Sequence, residues 1–140
     1  LNLISGVELA RAVSRRDVME QSGGALLFLS SIYGHVGMPG QLCYSASKGA
    51  ILAAVRSMAV ELARRKIRVN SLSPGFVQTP MTSAAMAMLS EEQVRSIEDA
   101  HPLGTGQPED VARAAAFLLA PQNGWITGTD LVIDGGYTAK

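Results

Sequence analysis

Gly23-Gly24-Ala25-Leu26-Leu27-Phe28-Leu29-Ser30-Ser31 is the stretch on which the fold turns. Its middle five residues are apolar without alternation, and glycine opens the run. Such a run predicts a strand buried on both faces, as in a parallel sheet, because a strand with one wet side alternates polar and apolar residues. Ser30 and Ser31 follow at its C-terminal end. Working outward, Ile67-Arg68-Val69-Asn70-Ser71-Leu72 reads as a second strand, stopped by Ser73-Pro74-Gly75. Leu131-Val132-Ile133 reads as a third, closed by a glycine turn at Asp134-Gly135-Gly136.

Helical patterns lie between these runs. Residues 1–20 carry an apolar stripe at Leu3, Val7, Ala10, Val13 and Val18, and a turn signal follows at Gln21-Ser22-Gly23-Gly24. Residues 32–41, rich in glycine, read as a loop. Residues 42–65 form a helix crowded with small residues, among them Ala46, Gly49, Ala50, Ala53, Ala54 and Ala59, which permits close approach to a neighbour. Residues 79–89 and a capping box at Ser90-Glu91-Glu92-Gln93 predict two short helices, and Pro108-Glu109-Asp110 opens a last one that ends at Ala120. Strand, helix, strand, helix, strand is the order of an α/β protein with a parallel sheet. In such sheets ligands bind beyond the C-terminal ends of the strands. Ser30-Ser31 and Pro74-Gly75 both fall there.

Composition narrows the partners. At 140 residues the chain suffices for one modest core and is short for two ordinary domains. Twelve basic and twelve acidic residues cancel without a basic patch, which argues against nucleic acid and anionic membrane as partners. No apolar run approaches the roughly 20 residues of a membrane helix. A single cysteine, Cys43, makes neither an internal disulfide nor a cysteine-rich metal site, and it is expected to be a buried, inert thiol. A reducing, cytoplasmic setting fits that usage. His35 and His101 stand apart from any metal partner and are expected in surface or loop roles. Trp125 is expected to pack near the last strand. Met81, Met86 and Met88 suit either a substrate-facing surface or ordinary packing. The chain opens at Leu1 without an initiator methionine, so further residues are expected upstream.

The chemistry rests on Tyr44-x-x-x-Lys48 in the first turns of the small-residue helix. Positions i and i+4 share a helix face, so the pattern sets an ammonium near a phenol. A cation favours the phenolate, and drawing a phenol from its ordinary value near 10 to neutrality takes roughly 4 kcal/mol of such preference. A group so tuned is an efficient general acid and base. Ser31, thirteen residues before Tyr44 at a strand end, can polarise a carbonyl or orient an alcohol. Ser30 is read as a strand-end hydrogen-bonding neighbour.

Ser30-Ser31, then Tyr44-Ser45-Ala46-Ser47-Lys48-Gly49-Ala50, Ile67-Arg68-Val69-Asn70, Pro74-Gly75 with Thr79, Ile126-Thr127-Gly128 and Asp134-Gly135-Gly136 closely resemble the short-chain dehydrogenases/reductases, in order and spacing over essentially the whole chain. The resemblance implies a Rossmann-like doubly wound parallel sheet, of which residues 1–140 are the C-terminal catalytic part: three parallel strands with flanking helices. It implies hydride transfer between NAD or NADP and a small-molecule ketone or secondary alcohol. Tyr44 would be the acid/base and Lys48 would bind the nicotinamide ribose. Ser31 would hold the substrate oxygen, and Asn2, in the first helix, would support a proton relay through the lysine. Pro74, Gly75 and Val77 would run beside the nicotinamide, Thr79 would bind its carboxamide or the pyrophosphate, and residues 79–100 would form a substrate lid. A homodimer or homotetramer is implied, with the long helices of adjacent subunits packed together.

The sequence departs from the family in lacking the first βαβ unit, its glycine-rich pyrophosphate turn and the residue that selects NAD or NADP. The strand at residues 25–29 is therefore expected to present an open apolar edge, leaving the 140 residues unstable and inactive by themselves. A non-catalytic scaffold is the alternative, against which the intact Ser31, Tyr44 and Lys48 argue. An epimerase or dehydratase of the extended branch is disfavoured by the 65 residues that follow Gly75, too few for a substrate domain.

Overall fold

The computed structural model describes residues 2–19 and 22–139. Its elements run α1 (Ile4–Val13), β1 (Gly24–Leu29), α2 (Leu42–Leu62), β2 (Ile67–Pro74), α3 (Pro80–Met86), α4 (Glu91–Asp99), α5 (Pro108–Leu119) and β3 (Asp130–Ile133). The strands form one parallel sheet in the order β1-β2-β3, with Gly24 opposite Ile67 and Ser71 opposite Asp130.

β2 is the centre, and every residue from Ile67 to Ser73 is buried. One face of the sheet meets α2: Ile51, Val55 and Ala59, spaced one turn apart, pack on Val69, and Leu26 and Phe28 of β1 join them. The other face is tied down by polar side chains. The Arg68 guanidinium donates to the carbonyls of Leu118, Leu119 and Ala120 at the end of α5, and to that of Ile126. Asn70 donates to Ile126 O and accepts from Thr129 N, so residues 126–129 are laid beside β2 on their way into β3. Among the described residues no helix is long and apolar enough to cross a membrane.

The expected capping box at Ser90 forms, and a second one opens α3. Ser90 and Gln93 exchange side-chain and backbone hydrogen bonds at the start of α4, and Thr79 and Thr82 do the same at α3, with Pro80 at its first position. α5 opens through a box between Gln107 and Asp110.

Several expectations are corrected. α1 ends at Val13 rather than near residue 20; the Ser14 hydroxyl donates to Arg11 O and Arg15 turns to pair with Asp17, which leaves Val18 out of the apolar stripe and exposed. Leu1 and Glu20, the ends of that expected helix, lie outside the described residues. β1 is half-buried instead of enclosed, and its last residue, Leu29, is 56% exposed. The reason is its place: β2 is its one strand neighbour among the described residues, so the edge stays open. Trp125 packs on nothing, being fully exposed, and the Cys43 thiol is exposed in the first turn of α2. His101, expected in a surface or loop role, lies in a bend after α4 and is buried there.

An apolar parallel edge strand is a template for pairing with another chain. The 140 residues on their own are expected to self-associate instead of giving a cooperative monomeric melt. Light scattering coupled to size exclusion, followed by thermal denaturation, checks this; a stable monomer contradicts it.

Candidate active site

β1 delivers Ser30 and Ser31 to the C-terminal edge of the sheet, both buried. Their hydroxyls do different work. Ser30 Oγ donates to Lys48 O at 2.9 Å, joining the strand end to α2. Ser31 sits in extended backbone and its Oγ accepts from Tyr33 N at 3.2 Å, capping a 3₁₀ turn at Ile32–Gly34 within the segment expected to be loop. Gly34 is where this turn meets the helix. A Cβ there would stand 3.0 Å from the carbonyl carbon of Lys48 and 3.2 Å from Gly49 N. A side chain there would make the helix backbone give by a few tenths of an ångström.

Tyr44 and Lys48 are brought together on one face of α2. Lys48 Nζ lies 5.6 Å from the Tyr44 ring centroid, within cation–π range. The ammonium donates to Leu29 O at 2.9 Å, the last carbonyl of β1. Burial lowers the Lys48 pKa below its ordinary value. The Tyr44 ring is met edge-on by Tyr33, centroids 6.3 Å apart. Burial raises the Tyr33 pKa, and Tyr137 and Tyr44 add to the effect, so Tyr33 stays a neutral phenol. Tyr44 is the more open of the pair, 39% exposed, and its hydroxyl makes no hydrogen bond among the described residues.

Asn2 lies in a turn ahead of α1 rather than in the helix. Its Nδ2 reaches Ser47 Oγ at 3.3 Å, and Ser47 in turn donates to Tyr44 O, so its link is to the first turn of α2 and not to the Lys48 ammonium.

The second wall leaves the end of β2. Gly75 N donates to Ile133 O as the strand ends. A Cβ on Gly75 would come within 2.9 Å of the Asp134 backbone and 3.0 Å of His101 Nε2, so the chain can pass here only as glycine. Phe76 N donates to His101 Nε2 at 3.1 Å, and His101 Nδ1 contacts Ile97 O at 2.7 Å, which fixes the ring as the neutral Nδ1–H tautomer. Val77 bridges Gly106 in a short parallel pair. Thr79 Oγ1 is occupied as the cap of α3, and Thr82 Oγ1 donates to Val77 O, holding the start of the lid to the strap.

The chain's sequence matches the family described as Enoyl-(Acyl carrier protein) reductase over residues 1–138. It is 43% identical over 124 residues to the 3-oxoacyl-(acyl-carrier-protein) reductase FabG of Chlamydia pneumoniae, covering 88% of this chain and 48% of that protein. The fold superposes with a TM-score of 0.88 on a short-chain type dehydrogenase/reductase from Mycobacterium marinum, at 34% identity, covering 99% of this chain and 54% of that one. A 7α-hydroxysteroid dehydrogenase solved with NADH and 7-oxo glycochenodeoxycholic acid gives 0.86 at 33% identity, covering 97% and 52%. The chain belongs to the short-chain dehydrogenase/reductase family. It spans about half the length of the relatives it matches.

Within that family's Rossmann-like sheet, several residues escaped sequence reasoning. Tyr33 had a signal, being two residues past Ser31 at the site edge. His101 had none, since burial by Tyr137 and the strap depends on residues far apart in the chain. Met81 and Met88 are exposed and Met86 is half-buried.

Gly34→Ala forces a shift of a few tenths of an ångström against helix backbone. Turnover of the whole protein is expected to fall about tenfold, since misplacement of about 1 Å costs about a hundredfold; unchanged kcat contradicts the interlock. The Asp134 carboxyl is expected to titrate in the stability. Burial alone would raise its pKa, but hydrogen bonds from Thr138 and Gly136 hold it below the ordinary 3.8. A depressed folded value contributes stability above the unfolded pKa, lost as pH falls through the folded one. Thr138→Val is therefore expected to destabilise at pH 7, with the difference narrowing below about pH 4. Urea melts at both pH values check this.

Proposed function

We propose that this chain carries the proton-transfer half of a nicotinamide-dependent oxidoreductase that interconverts a ketone and a secondary alcohol. The observation that supports it most is the Lys48 ammonium set against the ring of an open Tyr44 phenol, beyond the ends of β1 and β2. The donor set suits the nicotinamide end of NAD or NADP. Lys48 has three N–H groups and gives one to Leu29 O, leaving two for vicinal ribose hydroxyls, while the Tyr44 hydroxyl has no other partner among the described residues. The strap at Pro74, Gly75 and Val77, with Thr79, would flank the ring and its carboxamide. The cofactor, when bound, supplies or accepts the hydride.

The residues of this chain manage the proton. Tyr44 donates its phenolic proton to the substrate oxygen during reduction and recovers one from the alcohol in the reverse direction. Lys48, held by Leu29 O, stabilises the phenolate that results. Ser31 donates to the same substrate oxygen and orients it toward Tyr44. Tyr33 is kept neutral by burial, and Tyr44 is the phenol that hands over the proton. Asn2 steadies the first turn of α2 through Ser47 and would anchor the relay that returns a proton to Lys48. A cytoplasmic dimer or tetramer fits this reading, with the exposed face of α2 around Ala53 and Val60 as the contact between copies.

In the whole protein, Tyr44→Phe is expected to lower kcat about a thousandfold while cofactor binding, read by nicotinamide fluorescence, is retained. Full activity in that variant defeats the assignment of Tyr44.

A further inference from the structure

His35 closes the turn that Ser31 opens. The turn Ile32–Gly34 has Ser31 as its N-terminal cap and His35 as its C-terminal one. From that end the imidazole reaches back to the sheet. His35 Nε2 lies 2.8 Å from Asp130 Oδ2 at the start of β3 and 3.2 Å from Ser73 Oγ near the end of β2. Both contacts fall on one nitrogen, so the arrangement is no Ser-His-Asp relay, which needs both ring nitrogens. It is a single donor, Nε2–H, shared between a carboxylate and a hydroxyl.

The anchor is largely out of water. The Asp130 side chain is 11% exposed, and its Oδ1 is buried without a partner. Ser73 is fully buried, and so is Ser71, which stands opposite Asp130 in the register and whose hydroxyl also makes no bond. A carboxylate placed there has strong need of the one donor that reaches it, because an unpaired buried charge is costly. Removing the imidazole would free the turn at that end. What then remains to hold Ser31 in place is the bonding of its neighbour Ser30 to Leu72 O and Lys48 O, the burial of Ile32 and the packing of Gly34 on Lys48.

We infer that His35 is a positioning residue for the proposed reaction, tethering the Ser31 turn to β2 and β3 so that the serine hydroxyl faces Tyr44 and Lys48. The inference rests on the reading of Ser31 and Tyr44 given above. It assigns no contact between His35 and substrate or cofactor.

The test uses the whole protein with its nicotinamide cofactor. His35→Ala and Asp130→Ala are each expected to lower kcat about tenfold, with the cofactor's Kd unchanged. Their double variant is expected to be no slower than either, since both remove one interaction. His35→Gln, which keeps an N–H donor, and Asp130→Asn, which keeps an acceptor, are expected to restore most of the rate. Hydrogen exchange at the amides of Gly34, His35 and Val36, which bond to Ser31 O and Ile32 O, is expected to quicken about tenfold in His35→Ala. Unchanged exchange, additive losses, or a loss that His35→Gln and Asp130→Asn do not relieve overturns the tether. The exchange measurement needs no turnover, so it separates failure of the tether from failure of the Tyr44 reading, which a fully active Tyr44→Phe would signal.

Discussion

A buried guanidinium without a carboxylate partner organises this sheet. Arg68 is 8% exposed and spends its donors on four backbone carbonyls, three of them at the end of α5. Those carbonyls are the groups a helix C-terminus leaves without intrahelical partners, and they carry the negative end of its dipole. The cation and the helix end each resolve the other's problem: a charge needs hydrogen bonds to be buried at all, and the carbonyls need donors that water is not there to supply. Asn70, one residue pair further along the same face, does the neutral version of this job for Ile126 and Thr129. Together they lock α5 and β3 onto β2, and the position of the strand ends follows.

From that frame, two routes lead to the site. Along β2 the chain arrives at Gly75 with no room for a side chain between Asp134 and His101. Along β1 it arrives at Ser30, whose hydroxyl takes Lys48 O, while Lys48 Nζ returns to Leu29 O. The strand end and the helix are thus stitched in both directions by one serine and one lysine. A lysine buried enough to have its pKa lowered, yet bonded through one N–H, is held in place with hydrogen-bonding capacity to spare. That combination suits a group whose task is to bind one partner and bias the charge of another.

What the sequence made legible was local. The apolar run before Ser30, the box at Ser90 and the glycine turn after Ile133 are written in adjacent residues, and the structure forms each of them. The i,i+4 geometry of Tyr44 and Lys48 is of the same kind. What stayed hidden depended on distant parts of the chain. Nothing near His101 announces that Tyr137 and Phe76 will enclose it, and nothing near His35 announces Asp130, 95 residues away. Cys43 and Trp125 were misjudged because residue type predicts burial only on average, and the first turn of α2 and the segment before Ile126 face outward here. The open side of β1 was expected, though from the order of elements along the chain and not from any local pattern, and β2 is its one strand neighbour among the described residues.

The same distinction separates the parts that hold still from those free to move. α3 and α4 bury no residue fully, whereas β2 buries nearly all of its own. Segments with little buried apolar surface open at a small fraction of the global unfolding free energy. Residues 79–100 are nevertheless fastened at both ends: Thr82 donates to Val77 O at the start, and His101 links Ile97 O to Phe76 N at the finish. Both fasteners grip the strap that follows β2. The Ser31 turn and Lys48 depend on neither fastener, being bonded to β1 and α2.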